Sequence, residues 1–199
     1  MIFPEDIWGV ISEFEANPWT LIERIKAGLC HKHQSLHFVG KDRIETFENF
    51  EIIKKHNIKS LELSHLPNFN QPIPDGVEKL TLIGLRDFNQ FILIGVKELE
   101  LQNLPNFNQP IPCGVEKIKL WHLNNFNQPI PGGVKELDLW NLNRNFNQPI
   151  PIRVETLRLS CLPNFNQLIP DGVEKLGLYK LPILEKNNVP KRFRHLKWN

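Results

Sequence analysis

The segment FNQPIPCGVEKIKLWHLNN, residues 107–125, is followed at once by a second copy of the same pattern that begins at Phe126. The motif Phe-Asn-Gln recurs along the chain at spacings of 19, 19, 19, 20 and 19 residues. A short fixed period indicates a solenoid, because one such unit cannot bury its apolar residues alone and stacked units can. The motif begins at Phe69, Phe88, Phe107, Phe126, Phe146 and Phe165, after a degenerate first unit that starts at Phe50.

Each unit contains a segment of the form Val-x-x-Leu-x-Leu, as in Val134, Leu137 and Leu139. The alternation predicts a strand with both leucines on the buried face. The preceding Pro-Ile-Pro-x-Gly cannot be helical, since proline lacks an N–H and restrains its predecessor. Its glycine suits a tight corner, and we expect a different corner where Arg153 replaces it. These features predict a repeat solenoid with a leucine-rich-repeat-like parallel β-sheet of short coils and one stacked spine of phenylalanines.

An asparagine follows each of these phenylalanines. Six identical copies favour a structural ladder, in which amides satisfy the turn backbone of successive coils, over a ligand site. The ladder comprises Asn70, Asn89, Asn108, Asn127, Asn147 and Asn166.

The charged residues beside the strands alternate in sign from one coil to the next. The residue after each valine-type position reads Glu78, Lys97, Glu116 and Lys135 in consecutive units. Side chains at equal positions of neighbouring parallel strands lie side by side, so opposite charges should pair. The pattern predicts that the coils stack in register.

The outward face of the predicted sheet contains two tryptophans in adjacent coils, Trp121 and Trp140. Large exposed aromatic residues are common anchors of protein interfaces. We therefore predict a target-binding surface centred on this pair, with the alternative that the rings pack on each other or on a flanking loop. Its predicted rim comprises Lys119, Asp138, Arg158 and Tyr179.

Composition restricts the remaining possibilities. The 199 residues include Lys+Arg 24 and Asp+Glu 22, a net charge of +2, which gives no strong field for nucleic acid or anionic lipid. No apolar run is long enough to span a membrane, and the acidic first residues do not resemble a secretion signal. Three distant cysteines, Cys30, Cys113 and Cys161, indicate buried thiols of a reducing compartment. We expect a cytoplasmic protein.

Residues 1–34 lack the repeat and predict a small α-helical segment. Pro4 suits a first helical turn, and Thr20 to Glu23 reads as a capping box that opens a second helix. The segment either caps the first coil or docks on another protein. Residues 35–57 are predicted to form a linker and first-coil cap, with a first strand at Leu36 to Phe38, and residues 58–199 the repeat solenoid.

The tandem units resemble the FNIP repeat, which is known mainly from social amoebae and giant DNA viruses and is regarded as leucine-rich-repeat-like. The resemblance covers about residues 50–183 and rests on Asn-Gln-Pro-Ile-Pro followed by Gly-Val-x-x-Leu-x-Leu, as after Phe107 and Phe126.

The opening Phe3-Pro4-Glu5-Asp6-Ile7-Trp8 with Ile11 resembles the start of a shortened F-box. Together the two resemblances imply an F-box and FNIP-repeat protein, the substrate-recognition subunit of a cullin–RING ubiquitin ligase. Such a subunit binds the ligase's small adaptor protein and holds a target near the ubiquitin-loaded enzyme. By motif position, the resemblance assigns adaptor binding to Phe3, Pro4, Ile7, Trp8 and Ile11, with Leu21, Ile22 and Ile25 in support.

Three other classes of function compete with this interpretation. An enzyme is disfavoured, because no phosphate loop, nucleophile elbow or zinc-protease motif is present. Cys30, His31 and His33 lack a second cluster at metal-ligand spacing, so no metal or cofactor is expected. Nucleic-acid binding is supported only by the basic segment 191–198, and the apolar spacing of that segment is more simply explained by a terminal strand. A plain interaction scaffold shares the tryptophan surface and differs only in what residues 1–34 do.

Overall fold

The computed structural model describes residues 58–198 and, for their backbone, residues 35–39. In this part of the chain, eight parallel strands form one sheet in sequence order. Each is five residues long, and equivalent leucines of consecutive strands are register partners, as for Leu120 and Leu139. The strands are β1 (Ser35–Val39), β2 (Ser60–Ser64), β3 (Lys79–Ile83), β4 (Glu98–Gln102), β5 (Lys117–Trp121), β6 (Glu136–Trp140), β7 (Thr156–Ser160) and β8 (Lys175–Tyr179).

Six side chains of each coil point into the solenoid. In the coil that starts at Phe107 the strand supplies Ile118 and Leu120, and all six of its inward side chains are 7% exposed or less. Like residues of successive coils lie over one another, so the core consists of apolar columns, and the predicted solenoid is confirmed. The six positions of that coil are Phe107, Ile111, Val115, Ile118, Leu120 and Leu123.

The phenylalanines form the predicted spine. The rings of Phe69 and Phe88, of Phe88 and Phe107, and of Phe107 and Phe126 are stacked with centroids 6.1 Å apart. The next step, from Phe126 to Phe146, spans the unit with one extra residue and still stacks at 6.3 Å. The extra residue is therefore absorbed in the turn between Leu142 and Phe146 and does not disturb the core.

The asparagines form the predicted ladder. Oδ1 of Asn89 accepts a hydrogen bond of 3.1 Å from the backbone N–H of Asn108, and Oδ1 of Asn108 accepts one of 3.0 Å from the N–H of Asn127. The glutamine that follows each asparagine adds a second bond, as Nε2 of Gln128 donates to the backbone O of Asn108 at 3.1 Å. Amides thereby satisfy the turn backbone that strand pairing leaves unpaired.

The corner before each strand agrees with the sequence prediction at two glycines and differs from it at Arg153. Gly76 and Gly95 have φ of 85° and 120°, values that favour glycine. Residue Arg153 forms the same corner as its neighbours, since the N–H of Val154 donates to Pro151 O as that of Val134 does to Pro131 O. The expected difference at Arg153 is wrong, because this corner does not need a positive φ. At Gly133 the constraint is space: a Cβ would lie 3.0 Å from the backbone O of Cys113.

The chain ends in a cap and not in the predicted terminal strand. Residues Lys186–Asn188 and Lys191–Phe193 form two 3-10 turns. Pro190, with φ of −51°, begins the second turn; the turn uses the residues that a strand would need, so the strand prediction for 191–198 is wrong. Backbone bonds still join this segment to the preceding coils, from the N–H of Leu181, just after β8, to the O of Trp198 at 3.1 Å and from the N–H of Ile169 to the O of Asn188 at 2.8 Å.

Backbone pairing confirms the predicted first strand, which runs as β1 from Ser35 to Val39. The predicted helical segment of residues 1–34 and the rest of the 35–57 linker lie outside the described residues. So does the degenerate unit before Ile58.

Candidate functional site

The outward face of the sheet presents three columns of side chains, from the first, third and fifth residue of each strand. The first column contains Lys117, whose Nζ lies 3.8 Å from Glu98 and 3.1 Å from Glu136. In the third column, Lys119 lies 3.1 Å from Glu100, and Arg158 lies 3.7 Å from Asp138. The predicted alternation of charge is confirmed, because these pairs join neighbouring strands.

A further column of paired charges runs just before the strands. Lys135 Nζ lies 2.8 Å from Glu116 and Lys59 Nζ lies 2.7 Å from Glu78. The hydrogen bond from Lys135, and then its charge, lower the pKa of Glu116, and Lys59 lowers the pKa of Glu78 in the same way. The same bond raises the pKa of Lys135, while the hydrogen bond to Glu136 raises that of Lys117. The lysines and glutamates of these columns therefore largely neutralise one another as ion pairs.

A shallow groove of about 140 Å³ crosses strands β3 to β7 between the first and third columns. Backbone and leucines form its floor, and both walls carry mixed charges. Because neither wall has a net sign, the groove offers no field that would select a phosphate or a single charged ligand. Its walls include Lys79, Glu98, Lys117 and Glu136 on one side and Glu100, Lys119, Asp138 and Arg158 on the other.

The tryptophan pair lies in the fifth column. Trp121 and Trp140 are register partners on β5 and β6, and their rings meet edge to face with centroids 5.9 Å apart at 73°. The indole N–H of Trp121 donates to Asp138 Oδ1 at 3.3 Å, and Lys119 Nζ lies 5.9 Å from the Trp121 ring. Trp121 is half-buried by these contacts, while Trp140 remains 40% exposed. The rings thus pack on each other and still present an open aromatic surface.

Two residues of this cluster were not predicted. The ring of His122 packs against Trp140 with centroids 4.8 Å apart, and its Nδ1 lies 2.9 Å from Nδ2 of Asn141. Both residues directly follow a strand and have φ of 57° and 50°. Histidine and asparagine are enriched in this left-handed conformation, so the His, Gly or Asn that follows each of β2 to β6 was the available signal.

Tyr179 stands apart from the tryptophan pair. It lies on β8, two strands from Trp140, with Ser160 between them in the same column. Its ring is 56% exposed, and Lys180 Nζ lies 5.1 Å from the ring centroid. The structure therefore joins Lys119, Trp121, Asp138 and Trp140 directly, brings Arg158 to Asp138, and leaves Tyr179 as a separate exposed ring.

Exposed apolar residues also occur on the return side of the coils. They occupy either the position of the first proline of the motif or the variable position before its corner glycine. Among the described residues, none of them forms a ring contact with a tryptophan or histidine. They are Phe91, Ile94, Ile152 and Leu168.

The cysteines differ from the sequence prediction. Cys113 is exposed and Cys161 is half-buried, both as free thiols, so the expectation of buried thiols is wrong for these two. Cys113 occupies the variable corner position that faces solvent in every coil. Among residues 58–198 no group of three or more His, Cys, Asp or Glu side chains is placed to hold a metal. Residues Cys30, His31 and His33 lie outside the described part of the chain.

The predicted adaptor-binding residues also lie outside the described residues, so that prediction stays a prediction. They are Phe3, Pro4, Ile7, Trp8, Ile11, Leu21, Ile22 and Ile25.

The fold and this surface define a class of protein, the repeat solenoid with a leucine-rich-repeat-like parallel sheet. Comparisons with protein-family models, with curated proteins and with solved structures found no match to the chain. Across the described residues, no helix has the length and apolar character that crossing a membrane requires.

Proposed function

We propose that this chain recognises a target protein through the tryptophan surface, defined as Lys119, Trp121, His122, Asp138 and Trp140. The single observation that supports it best is the open ring of Trp140, held in place by Trp121 and His122. Aromatic residues fixed by their neighbours lose little side-chain freedom on binding and often supply most of the binding energy.

The surroundings of the two rings favour a protein over a small ligand. The groove beside them is shallow and mixed in charge, and small-molecule sites are instead concave and mostly apolar. A rim of paired charges around an aromatic centre is typical of protein interfaces. Arg158 and Asp138 lie at this rim, and Tyr179 supplies a second aromatic contact farther along the same column.

We further propose that residues 1–34 dock on the small adaptor of a cullin–RING ubiquitin ligase, so that the chain serves as substrate-recognition subunit. The support is the F-box-like opening and the tandem repeat that follows it. Chemistry would belong to the other subunits, and this chain would contribute proximity and orientation. The proposal includes a cytoplasmic location, the host cytoplasm if the chain is viral, and no catalytic role for the chain itself.

The target-binding half is tested with the double variant Trp121→Ala, Trp140→Ala. Affinity capture with the wild-type chain identifies bound proteins, and the affinity for a purified target is then measured. We expect the double variant to bind at least about a hundredfold more weakly, because truncation of the two anchors together should cost about 3 kcal/mol or more. Phe91→Ala, an exposed ring on the return side, is the matched control and should bind normally. Unchanged affinity in the double variant refutes the surface.

The ligase half is tested separately by co-purification of the adaptor with the chain. Wild type and the tryptophan double variant should both capture the adaptor, whereas Ile7→Asp with Ile11→Asp should not, because a buried charge is costly in an apolar interface. If the wild type captures a target and no adaptor, the alternative holds, and the chain is a plain interaction scaffold.

A further inference from the structure

The charge of the solenoid is concentrated at its C-terminal end. Residues 180–198, here called the C-terminal cap, contain six lysines and arginines against one acidic residue, a net charge of +5. Residues 58–179 contain eleven basic and twelve acidic residues, a net charge of −1. The long body of the solenoid is therefore close to neutral, and the net positive charge of residues 58–198 comes from the C-terminal cap.

The basic residues of the cap lack the carboxylate partners that the strand residues have. Every ion pair between described residues joins two side chains of the 59–158 region, and none includes a cap residue. Two arginines instead bind backbone oxygens: Arg192 Nη2 donates to Asp171 O at 2.7 Å and to Val173 O, and Arg194 Nε donates to Val189 O at 2.9 Å. These bonds fix the guanidinium groups, and among the described residues no carboxylate forms an ion pair with either of them.

An open groove of about 560 Å³ lies beside these arginines. Its apolar side is formed by Leu168 with Ile169, Val189 and Pro190, and its basic side by Lys191, Arg192 and Arg194; Asp171 and Asn187 complete the lining. Leu168 is 65% exposed and stands where all but one of the other coils from Phe69 onward have proline. The groove thus combines a free apolar side chain with three positive charges, two of them held in position, against the one carboxylate of Asp171, so its lining has a net charge of +2.

We propose that this groove binds an acidic segment of a partner protein that also carries an apolar side chain. Carboxylates would face Lys191 and the two arginines, and the apolar side chain would cover Leu168. A protein segment fits better than a nucleic acid, since single-stranded nucleic acids bind through exposed aromatic rings. The phenylalanine and tryptophan of the cap do not serve: Trp198 is 5% exposed, and Phe193 is half-buried under Arg192, so His195 is the one exposed aromatic ring within residues 180–198. The groove is separate from the tryptophan surface, and the inference does not depend on the function proposed above.

The test measures binding of fluorescent probes to the full chain by anisotropy. The first probe is a short synthetic peptide of glutamates around one central leucine, and the second replaces that leucine by serine. A single-stranded RNA oligonucleotide and vesicles that contain phosphatidylserine complete the set. We expect the leucine peptide to bind more tightly than the serine peptide, and its binding to weaken as salt screens the charges.

Two variants and one control locate the site. Lys191→Glu should weaken binding of the leucine peptide about tenfold, because an attraction becomes a repulsion. Leu168→Ser should weaken it about fivefold and abolish the preference over the serine peptide. Arg144→Glu, the same change of charge on an exposed turn of the body, should alter affinity less than about twofold. All three side chains are exposed, and circular dichroism checks that each variant is folded.

The proposal is overturned if the wild type fails to bind the leucine peptide, or if Lys191→Glu and Arg144→Glu weaken it equally. Tighter binding of the RNA than of the peptide, lost in Lys191→Glu, would make the groove a nucleic-acid site. Binding to the vesicles alone would make it a lipid-binding site.

Discussion

In the inner coils, which begin at Phe69, Phe88, Phe107 and Phe126, each asparagine bonds to an asparagine or glutamine of the next coil. At the C-terminal cap the same position is occupied differently. Oδ1 of Asn166 accepts hydrogen bonds from the backbone N–H of Glu185 at 3.0 Å and from Nδ2 of Asn188 at 2.8 Å. The cap thus completes the ladder with residues that do not belong to the repeat.

The apolar columns show the same contrast. Leu137 and Leu139 on β6 are at most 1% exposed, whereas Leu176 and Leu178 on β8 are only half-buried. Val189 and Trp198 cover this end of the core without forming a strand. A stacked array needs such terminal coverage, since its last coil has a neighbour on one side alone. Stability in the inner coils should therefore come from repetition, and at the cap from a few irregular contacts.

The largest expected effect comes from breaking the phenylalanine spine. Phe107 is fully buried between two stacked rings, and its change to alanine leaves a cavity. We expect Phe107→Ala to lower the free energy of unfolding by about 3–5 kcal/mol. Phe193→Ala, at the half-buried ring of the cap, should lower it by about 1 kcal/mol. Urea unfolding measures both, and equal losses would contradict the contrast between the two regions.

A smaller effect is expected from the asparagine ladder. Asn108→Ala removes the acceptor of the Asn127 N–H and should cost about 1–2 kcal/mol in the free energy of unfolding. Asn166→Ala should cost at least as much, because it removes the acceptor of two hydrogen bonds, from the N–H of Glu185 and from Nδ2 of Asn188. Asn108→Asp keeps an acceptor oxygen and is the control. If the ladder contributed nothing to stability, both alanine variants would have the urea midpoint of the wild type.

The sequence predicted those features of the fold that repeat. The 19-residue period determined the register, and the register determined which charges pair and that Trp121 and Trp140 are neighbours. Features without a period were not predictable in this way. Residues 191–198 have the apolar spacing of a strand, and a local turn after Pro190 overrides it.

The aromatic site shows the same limit. The sequence identified the two tryptophans by their strand positions, but not His122, because its position after the strand varies in identity and is unified only by its left-handed φ. The exposure of Cys113 was not predicted for a related reason: the residues at its corner position differ in type from coil to coil, so the sequence there does not indicate whether the position is buried.

The paired charges of the inner coils predict that stability depends on pH. The pKa of Glu116 lies below its ordinary 4.5, so its pairing stabilises the fold above that pH and is lost as pH falls through the lowered pKa. The pKa of Lys135 lies above 10.5, so the same pairing is lost only as pH rises through the raised value. We expect Lys135→Gln to raise the pKa of Glu116, as followed by NMR titration of its carboxyl group. Lys191→Gln, which has no carboxylate partner among the described residues, should leave that pKa unchanged.

The smallest expected effect lies at the left-handed residue that follows each strand. His65, Gly84, Asn103, His122 and Asn141 fill this position in the inner coils, and these residue types tolerate a positive φ. After β7 and β8 this position is occupied by Cys161, with φ of 54°, and by Lys180, with φ of 50°.

Cys161→Asn should therefore raise the free energy of unfolding by about 0.5 kcal/mol. Cys161→Val should lower it by about 1 kcal/mol, because a β-branched side chain fits this conformation poorly. The N–H of Cys161 donates to Tyr179 O at 2.9 Å and is kept in both variants, so a difference in urea midpoint reports the cost of the backbone conformation. If valine proved as stable as asparagine, the change of residue type toward the cap would carry no energetic penalty.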